Sequence, residues 1–495
     1  MANPLRRIHC HGGRPCRRLA SRGGPINSTF SHRASSSPLR AAEPSSPRWS
    51  SHSSVPGPQS VAAPQIGRSS TSPLALLGIG LGLLAGAVAG WAFSTSDRKQ
   101  GSAKPQYATI AQMEQAITEV QRALGEDSVS TDSEILLAHG YSEWSTVNID
   151  RLPVAVVFPS STEEVSTVAK ICHKYNIPII PFSGGSSVEG NFSAPVGGFS
   201  VDFMNMNQIV KFRPEEKSSA GYNLNSLFVG SEGTLGLVTE ATLKLAPAPT
   251  STGVAVISFP TIKSAASMAV DVVRKGIVVG AIEILDDVQM KVINKIGATG
   301  RTWREEPTLF IKFTGDQDVV DHNIKLVQKV AREHGSPKME FENDAEKQKV
   351  LWSARKEALW SMLALRTSGS EVWTTDVAVP LSRVAELIEC SKKDLDNLNL
   401  FGSIIGHVGD GNFHETILFD GAKERQRVEQ SVHRMVRRAL DMEGTCTGEH
   451  GVGLGKIDSL QDELGDAPLS VMRAIKTSLD PKWLMNPGKI FHFQQ

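Results

Sequence analysis

A run of twenty residues without a charged side chain, 74–93 (LALLGIGLGLLAGAVAGWAF), divides the chain into a leader and a body of about four hundred residues. Twenty apolar residues make a helix about as long as a hydrocarbon core is thick, so the run predicts a single membrane anchor. A whole-chain hydrophobic content of 40% excludes further spans and places the body among soluble globular folds. Gly78, Gly82, Gly86 and Gly90 recur every fourth residue, which offers a second helix one bare face to approach; a lone lipid-embedded helix is the alternative.

Residues 1–73 contain ten Arg, no Lys and one acid, Glu43, the composition of a mitochondrial transit peptide. An Arg-rich presequence followed by one apolar span predicts an inner-membrane anchor with the body in the intermembrane space. The chain is formally neutral, yet from residue 74 onward 42 basic residues face 51 acidic ones. A mildly acidic body lacks the broad basic surface that phosphate neutralisation requires, so no nucleic-acid partner is expected. Cys10 and Cys16 fall in the leader, and Cys172, Cys390 and Cys446 show no CxxC spacing. Neither a disulfide framework nor a cysteine metal site follows.

After a polar linker over 94–105, 113–124 and 133–139 read as short helices. PVAVVFPSS from Pro153, a helix with Thr162 as N-cap and Glu163 and Glu164 in its first turn, and the strand IPIIPF form a β-α-β unit. The second strand ends in SGGSSVEGN, where paired glycines let backbone amides approach phosphate oxygens. A second small-residue loop, GSEGTLG at 230–236, sits between the strand-like NSLFV and the alternating LVTEATLKL. Two such loops favour a dinucleotide cradle, although neither has the GxGxxG spacing of a nicotinamide-binding Rossmann turn. Beyond Pro249, VAVISFP, VVGAIEIL and TLFIKFTG alternate with amphipathic helices over 261–275 and 318–334, which predicts a separate α+β domain.

In a helix over 344–366, Leu351, Ala358, Leu359 and Met362 form an apolar stripe that also carries Arg355. An arginine there either lays its stem on the apolar surface or offers its fork to a substrate carboxylate. In GHVGDGNFHETILF, residues 406–419, the Asp410-Gly411 dipeptide predicts a two-residue hairpin turn that sets His407 opposite His414. CTGEHGVGLGK, residues 446–456, adds Glu449 and His450. Two imidazoles and a carboxylate make a three-ligand divalent site with open positions. Neighbouring residues in extended backbone point opposite ways, so one of Glu449 and His450 is left as a base, and His450 has the better pKa for it.

PFSGGSSVEGNFSAP, GSEGTLGLVTEATLKLAPAP, GHVGDGNFHETI, TGEHGVGLGK and the terminal NPGKIF together resemble the cytochrome-dependent D-lactate dehydrogenase branch of the FAD-linked oxidase family, from about residue 105 to the C-terminus. The resemblance implies an α+β fold: a PCMH-type (vanillyl-alcohol-oxidase-type) FAD domain over 149–248, a substrate domain with an antiparallel sheet over 249–478, and a tail, 479–495, that returns to the FAD domain. It implies that Ser183, Gly184, Gly185, Ser186, Ser187, Glu189, Gly190 and Asn191 meet the FAD diphosphate and its neighbourhood. Gly230, Glu232, Gly233 and Thr234 would line the second loop, with Asn486 and Lys489 returning from the tail to the flavin. Arg355 would bind the substrate carboxylate, and His407, His414 and Glu449 a divalent ion (Zn, Mn or Fe). Asn412 would orient the hydroxyl and His450 take its proton, in the oxidation of D-lactate to pyruvate with electrons passing to cytochrome c.

One departure stands out. In the resembled family a long stretch, including a glycine-rich loop along the flavin, separates the strand ending near Phe212 from KSSAGYN; here only 213–216 intervene. The FAD domain is therefore expected to be incomplete, through a skipped exon or a shortened isoform with an exposed sheet edge that holds FAD weakly or not at all. Two further readings stay open: a D-2-hydroxyglutarate dehydrogenase, which would need another cation for the distal carboxylate, and a catalytically silent, membrane-anchored assembly partner.

Overall fold

The computed structural model describes residues 105–211, 221–336 and 338–492. The leader, the apolar run 74–93 with its glycine face and the junction 213–216 lie outside them. Among the described residues no helix is long and apolar enough to cross a membrane.

The first region begins with α1 (Ile110–Leu124), closed at its start by a Thr109–Gln112 capping box, then β1 (Val129–Ser130) and α2 (Ser133–Ala138). β2 (Ala155–Val157), α3 (Thr162–Tyr175), β3 (Ile179–Phe182) and β4 (Phe199–Asp202) follow. The cap of α3 is Ser161, whose hydroxyl accepts the Glu164 amide, one residue before the expected Thr162. The sheet order is β1-β2-β4-β3, so β4 inserts between the two strands of the expected β-α-β unit. Met113, Ala116, Ile117 and Val120 of α1 and Val168 and Ile171 of α3 pack with Ile179, Phe199 and Val201 into one core. The C-terminal tail covers the outer edge of β3: the Ile179 amide donates to Leu484 and the Asn486 amide donates back to Ile179, both at 2.8 Å.

Two expected strands do not form. NSLFV gives a single helical turn, α4 (Asn225–Phe228), and LVTEATLKL pairs with no strand among the described residues. Val238, Leu243 and Leu245 are 60%, 75% and 65% exposed. Alternation describes a strand only where a neighbour takes its amides and a core takes its apolar face, and among the described residues this stretch has neither.

The second region continues with β5 (Ser251–Ser258), α5 (Ile262–Arg274), β6 (Ala281–Leu285), α6 (Asp287–Ile296), β7 (Thr308–Gly315) and α7 (Gln317–Glu333). Next come β8 (Glu340–Glu342), α8 (Ala345–Leu363), β9 (Ser370–Thr374), β10 (Val377–Ala378) and α9 (Leu381–Asn397). It ends with β11 (Gly402–Gly406), β12 (Asn412–Asp420), α10 (Gly421–Asp441), α11 (Ile457–Leu464) and α12 (Asp466–Leu479). Eight antiparallel strands run β10-β12-β11-β6-β7-β5-β8, with β9 also on β12. One face packs on α5, α7, α9 and α10. The other packs Leu285, Phe310 and Ile405 on Met290 and Ile293 of α6 and on Leu351, Ala354 and Ala358 of α8. That second face carries the candidate site.

Candidate active site

The histidine hairpin differs from its expected register. Ile405, not His407, pairs with His414, and a three-residue 3-10 turn, Val408–Asp410, precedes Gly411. Gly411 sits at φ +82°, where a Cβ would fall 2.3 Å from the Val379 carbonyl, so the tight return needs glycine. The two histidines still meet, because His407 follows Ile405 by two residues; their ring centroids are 6.1 Å apart.

Both imidazoles aim Nε2 at one oxygen of Glu449, His414 at 3.0 Å and His407 at 3.3 Å. Their Nδ1 atoms are held from behind, His414 by the Thr375 carbonyl at 2.9 Å and His407 by Glu283 at 2.7 Å. Ligand atoms of His407, His414 and Glu449 lie within 4.8 Å of one another. Backed imidazoles that present Nε2 beside a carboxylate are a donor set that fits a divalent cation. Hydrogen bonds from His407 and His414 hold Glu449 well below the usual carboxylate range. Glu283 first, then Glu449, push His407 up to about 10.

The 447–453 loop is organised by a residue with no sequence signal, Asp376, whose side chain is fully buried. Its carboxylate accepts the amides of Gly448 (2.9 Å), Glu449 (3.0 Å) and His450 (2.9 Å), the Thr447 hydroxyl (2.8 Å) and, on the other oxygen, Asn412 Nδ2 (3.2 Å). Burial works against the charge, but Lys456 and the His450 amide outweigh it and hold Asp376 low. Asn412 Oδ1 is buried without a partner among the described residues, so it is free to accept from a ligand. Burial lowers His450, whose ring lies 5.2 Å from that of His414. A neutral imidazole is what a proton acceptor requires.

Arg355 lies on the inner side of α8 and donates Nε to Glu283 at 2.8 Å. Its terminal nitrogens donate to no protein group among the described residues, so the fork is open. Glu283 had one sequence signal, a lone acid between Ile282 and Ile284 in an otherwise apolar strand.

In the first expected cofactor loop, the amides of 184–187 donate to no protein acceptor among the described residues, and Gly185 takes φ +61°. Ser183, Gly184 and Ser186 are exposed, and Ser187 is partly so. Open amides on a glycine-bent loop fit a diphosphate. Of the remaining expected residues Gly230 is exposed, and the others are buried or half-buried in a knot whose polar groups are largely engaged with protein. Glu189 takes the Thr146 hydroxyl at 2.8 Å and lies 3.6 Å from Lys456. The Glu232 carboxylate accepts Val452 and Gly453 amides and Asn191 Nδ2. Asn486 donates to the Asn191 and Glu232 carbonyls, and Lys489 to Ser193 and Asn486. Gly190, Gly230 and Gly233 turn at positive φ, and the Thr234 hydroxyl caps the Ser231 carbonyl. The knot binds the two loops, the tail and the 447–453 loop into one unit.

Residues 153–226 match the family described as FAD binding domain, and residues 248–490 the family described as FAD linked oxidases, C-terminal domain. The mitochondrial D-lactate dehydrogenase [cytochrome] of Kluyveromyces lactis is 37% identical, over 78% of this chain and 83% of its own length. That of Arabidopsis thaliana is also 37% identical, over 74% and 78%. Glycolate oxidase subunit GlcD of Bacillus subtilis is 26% identical, over 71% and 92%. The K. lactis alignment spans 477 positions but draws on 78% of 495 residues, roughly 386, which leaves roughly 90 positions facing no residue of this chain. Among solved structures, p-cresol methylhydroxylase shares the fold with a TM-score of 0.58 at 16% identity, over 79% of this chain and 99% of that one. The α+β architecture, the FAD-domain matches and the identity to relatives across most of both chains place this chain in the cytochrome-type D-lactate dehydrogenase family of FAD-linked oxidoreductases.

Proposed function

We propose that the chain oxidises the 2-hydroxyl of D-lactate to pyruvate, with FAD as cofactor, a divalent ion on His407, His414 and Glu449, and cytochrome c as electron acceptor. The observation that carries this reading is the convergence of His407, His414 and Glu449 beside an open Arg355 fork, the two being joined through Glu283. The Arg355 fork takes the substrate carboxylate by paired charge-assisted hydrogen bonds. Asn412 Oδ1 accepts from the substrate, and His450 takes the hydroxyl proton as neutral imidazole. Asp376 fixes both by holding Asn412 and the His450 backbone. FAD held at the 183–191 loop would supply a hydride acceptor for C2, and an ion held by His407, His414 and Glu449 would supply Lewis-acid stabilisation of charge on the hydroxyl oxygen. The Arg-rich leader and the run 74–93 support mitochondrial targeting and a single inner-membrane anchor.

The test is the visible spectrum of the purified full chain. Flavin bands that bleach on D-lactate but not L-lactate, with cytochrome c reduced in turn, support the reading.

A second reading has its own observation. The unpaired stretch 237–245 and the roughly 90 unmatched positions point to a shortened isoform that cannot retain FAD. A colourless protein that gains neither colour nor activity with added FAD favours that reading over the first.

A further inference from the structure

One side chain serves both halves of the proposed substrate site. Glu283 projects from the centre of β6 and is buried, 6% exposed. One of its oxygens pairs with His407 Nδ1 at 2.7 Å and the other accepts Arg355 Nε at 2.8 Å. These partners come from different elements, 124 and 72 residues away in sequence, and among the described residues neither makes another side-chain polar contact except that of His407 with Glu449 at 3.3 Å.

Each contact spends one atom and frees another. A carboxylate behind Nδ1 keeps a proton on that nitrogen and leaves the Nε2 lone pair for a cation. A carboxylate under Nε turns the arginine so that its two terminal nitrogens face away, in the fork geometry that matches a second carboxylate. Because the same rigid carboxylate makes both contacts, it fixes the separation between the anion fork and the ion-facing nitrogen. In a 2-hydroxy acid the carboxylate and hydroxyl stand on adjacent carbons; in a 3-hydroxy acid one more carbon intervenes.

We propose that Glu283 is a positioning residue that couples the carboxylate fork to the metal-facing histidine and, by setting their spacing, selects 2-hydroxy acids over 3-hydroxy acids. The proposal rests on the reading of the site given above. It predicts that a change at the fork, which touches no metal ligand, is felt at the metal site.

The test uses the full chain and a calorimetric titration with zinc chloride, which needs neither flavin nor turnover. Glu283→Gln preserves size but puts an amide donor against one of two donors, and should weaken zinc about tenfold or more. Glu283→Asp keeps the charge but withdraws it by one methylene, so it should fail to rescue. Arg355→Lys keeps a cation at the fork and loses the planar Nε donor; zinc should weaken about threefold although no ligand has changed. In turnover, Glu283→Gln should raise KM for D-lactate more than it lowers kcat, and narrow the preference for D-lactate over D-3-hydroxybutyrate.

Zinc affinity unchanged in both Glu283→Gln and Arg355→Lys, with the parent chain binding zinc and D-lactate, overturns the coupling and leaves the functional reading standing. Rescue by Glu283→Asp reduces the residue to a nearby negative charge and also overturns it. If the parent chain binds neither zinc nor D-lactate, the functional reading fails and the proposal with it. Should Glu283→Gln not fold, as judged by its thermal melt, the Arg355→Lys arm decides alone.

Discussion

The buried carboxylate of Asp376 accepts the backbone amide of His450 at 2.9 Å, across 74 residues of sequence. The same oxygen also takes the amides of Gly448 and Glu449, so the loop bearing Glu449 and His450 is wound around one charge. Asp376→Asn keeps the volume but removes that charge and can turn a donor toward the three amides. A loss of about 3 kcal/mol is expected, from several charge-assisted bonds broken with their buried donors left unpaired. Urea denaturation measures it. Cytochrome c reduction, where the parent chain supports it, should fall about tenfold or more through a displaced His450. A variant of parental stability would show that the loop holds its shape without the charge.

Glu189 gives a pH dependence of defined sign. Burial raises its carboxyl from 4.5 to about 6, against the opposing pull of Lys456 and Thr146. The folded chain therefore holds a proton there at pH values where the unfolded chain has released it. By linkage this contribution to stability is fully present below pH 4.5 and is lost as pH rises through 6. Its size is on the order of 2 kcal/mol. Glu189→Gln removes the titration, so the stability difference between parent and variant should drift by that amount from pH 4 to pH 7. A constant difference would mean that Lys456, 3.6 Å away, compensates burial completely.

Gly453 is pinned on both sides. It takes φ +52°, its amide donates to Glu232 at 2.8 Å, and a Cβ there would lie 2.2 Å from the Glu189 carbonyl. Gly453→Ala should cost about 3 kcal/mol, from the left-handed backbone plus a backbone clash that cannot relax without parting the two loops. Gly276→Ala is the control: it takes φ +70° with nothing within 4 Å of the added carbon, and should cost about 1 kcal/mol. Equal losses in denaturant melts would mean that the clash relaxes without cost.

What the sequence made legible was local. Glycine-bent loops, the histidine pair and the GEHG run each carry their signal within a dozen residues, and the strands and helices expected after Pro249 form, whereas the strands expected on either side of GSEGTLG do not. The hairpin register was misread because Asp410-Gly411 suits a two-residue turn, whereas the close Val379 carbonyl at Gly411 favours the longer one. Asp376 was invisible, since its partners in the 447–453 loop lie over seventy residues away and nothing in TTDVAV marks the aspartate. Glu283 left a trace, an acid inside an apolar strand, which only the approach of α8 and β11 turns into a bridge.

The stretch 237–245 shows the same limit from the opposite side, and it yields a test of whether the FAD domain is shortened. Its alternation, VTEATLKL, reads as an amphipathic strand, yet Leu243 and Leu245 stand 75% and 65% exposed with no strand beside them among the described residues. Leu243→Ser and Leu245→Ser should therefore each change stability by less than about 0.5 kcal/mol. Ile284→Ala, fully buried in the central sheet, should cost about 3 kcal/mol in the same urea series. Exposed leucines on an unpaired extended segment also promote self-association, so the double serine variant should remain monomeric at concentrations where the parent chain aggregates in light scattering. A loss above about 2 kcal/mol from either leucine would mean that the segment is buried against a neighbour in solution, and that the flavin half is more complete than the 213–216 junction allows.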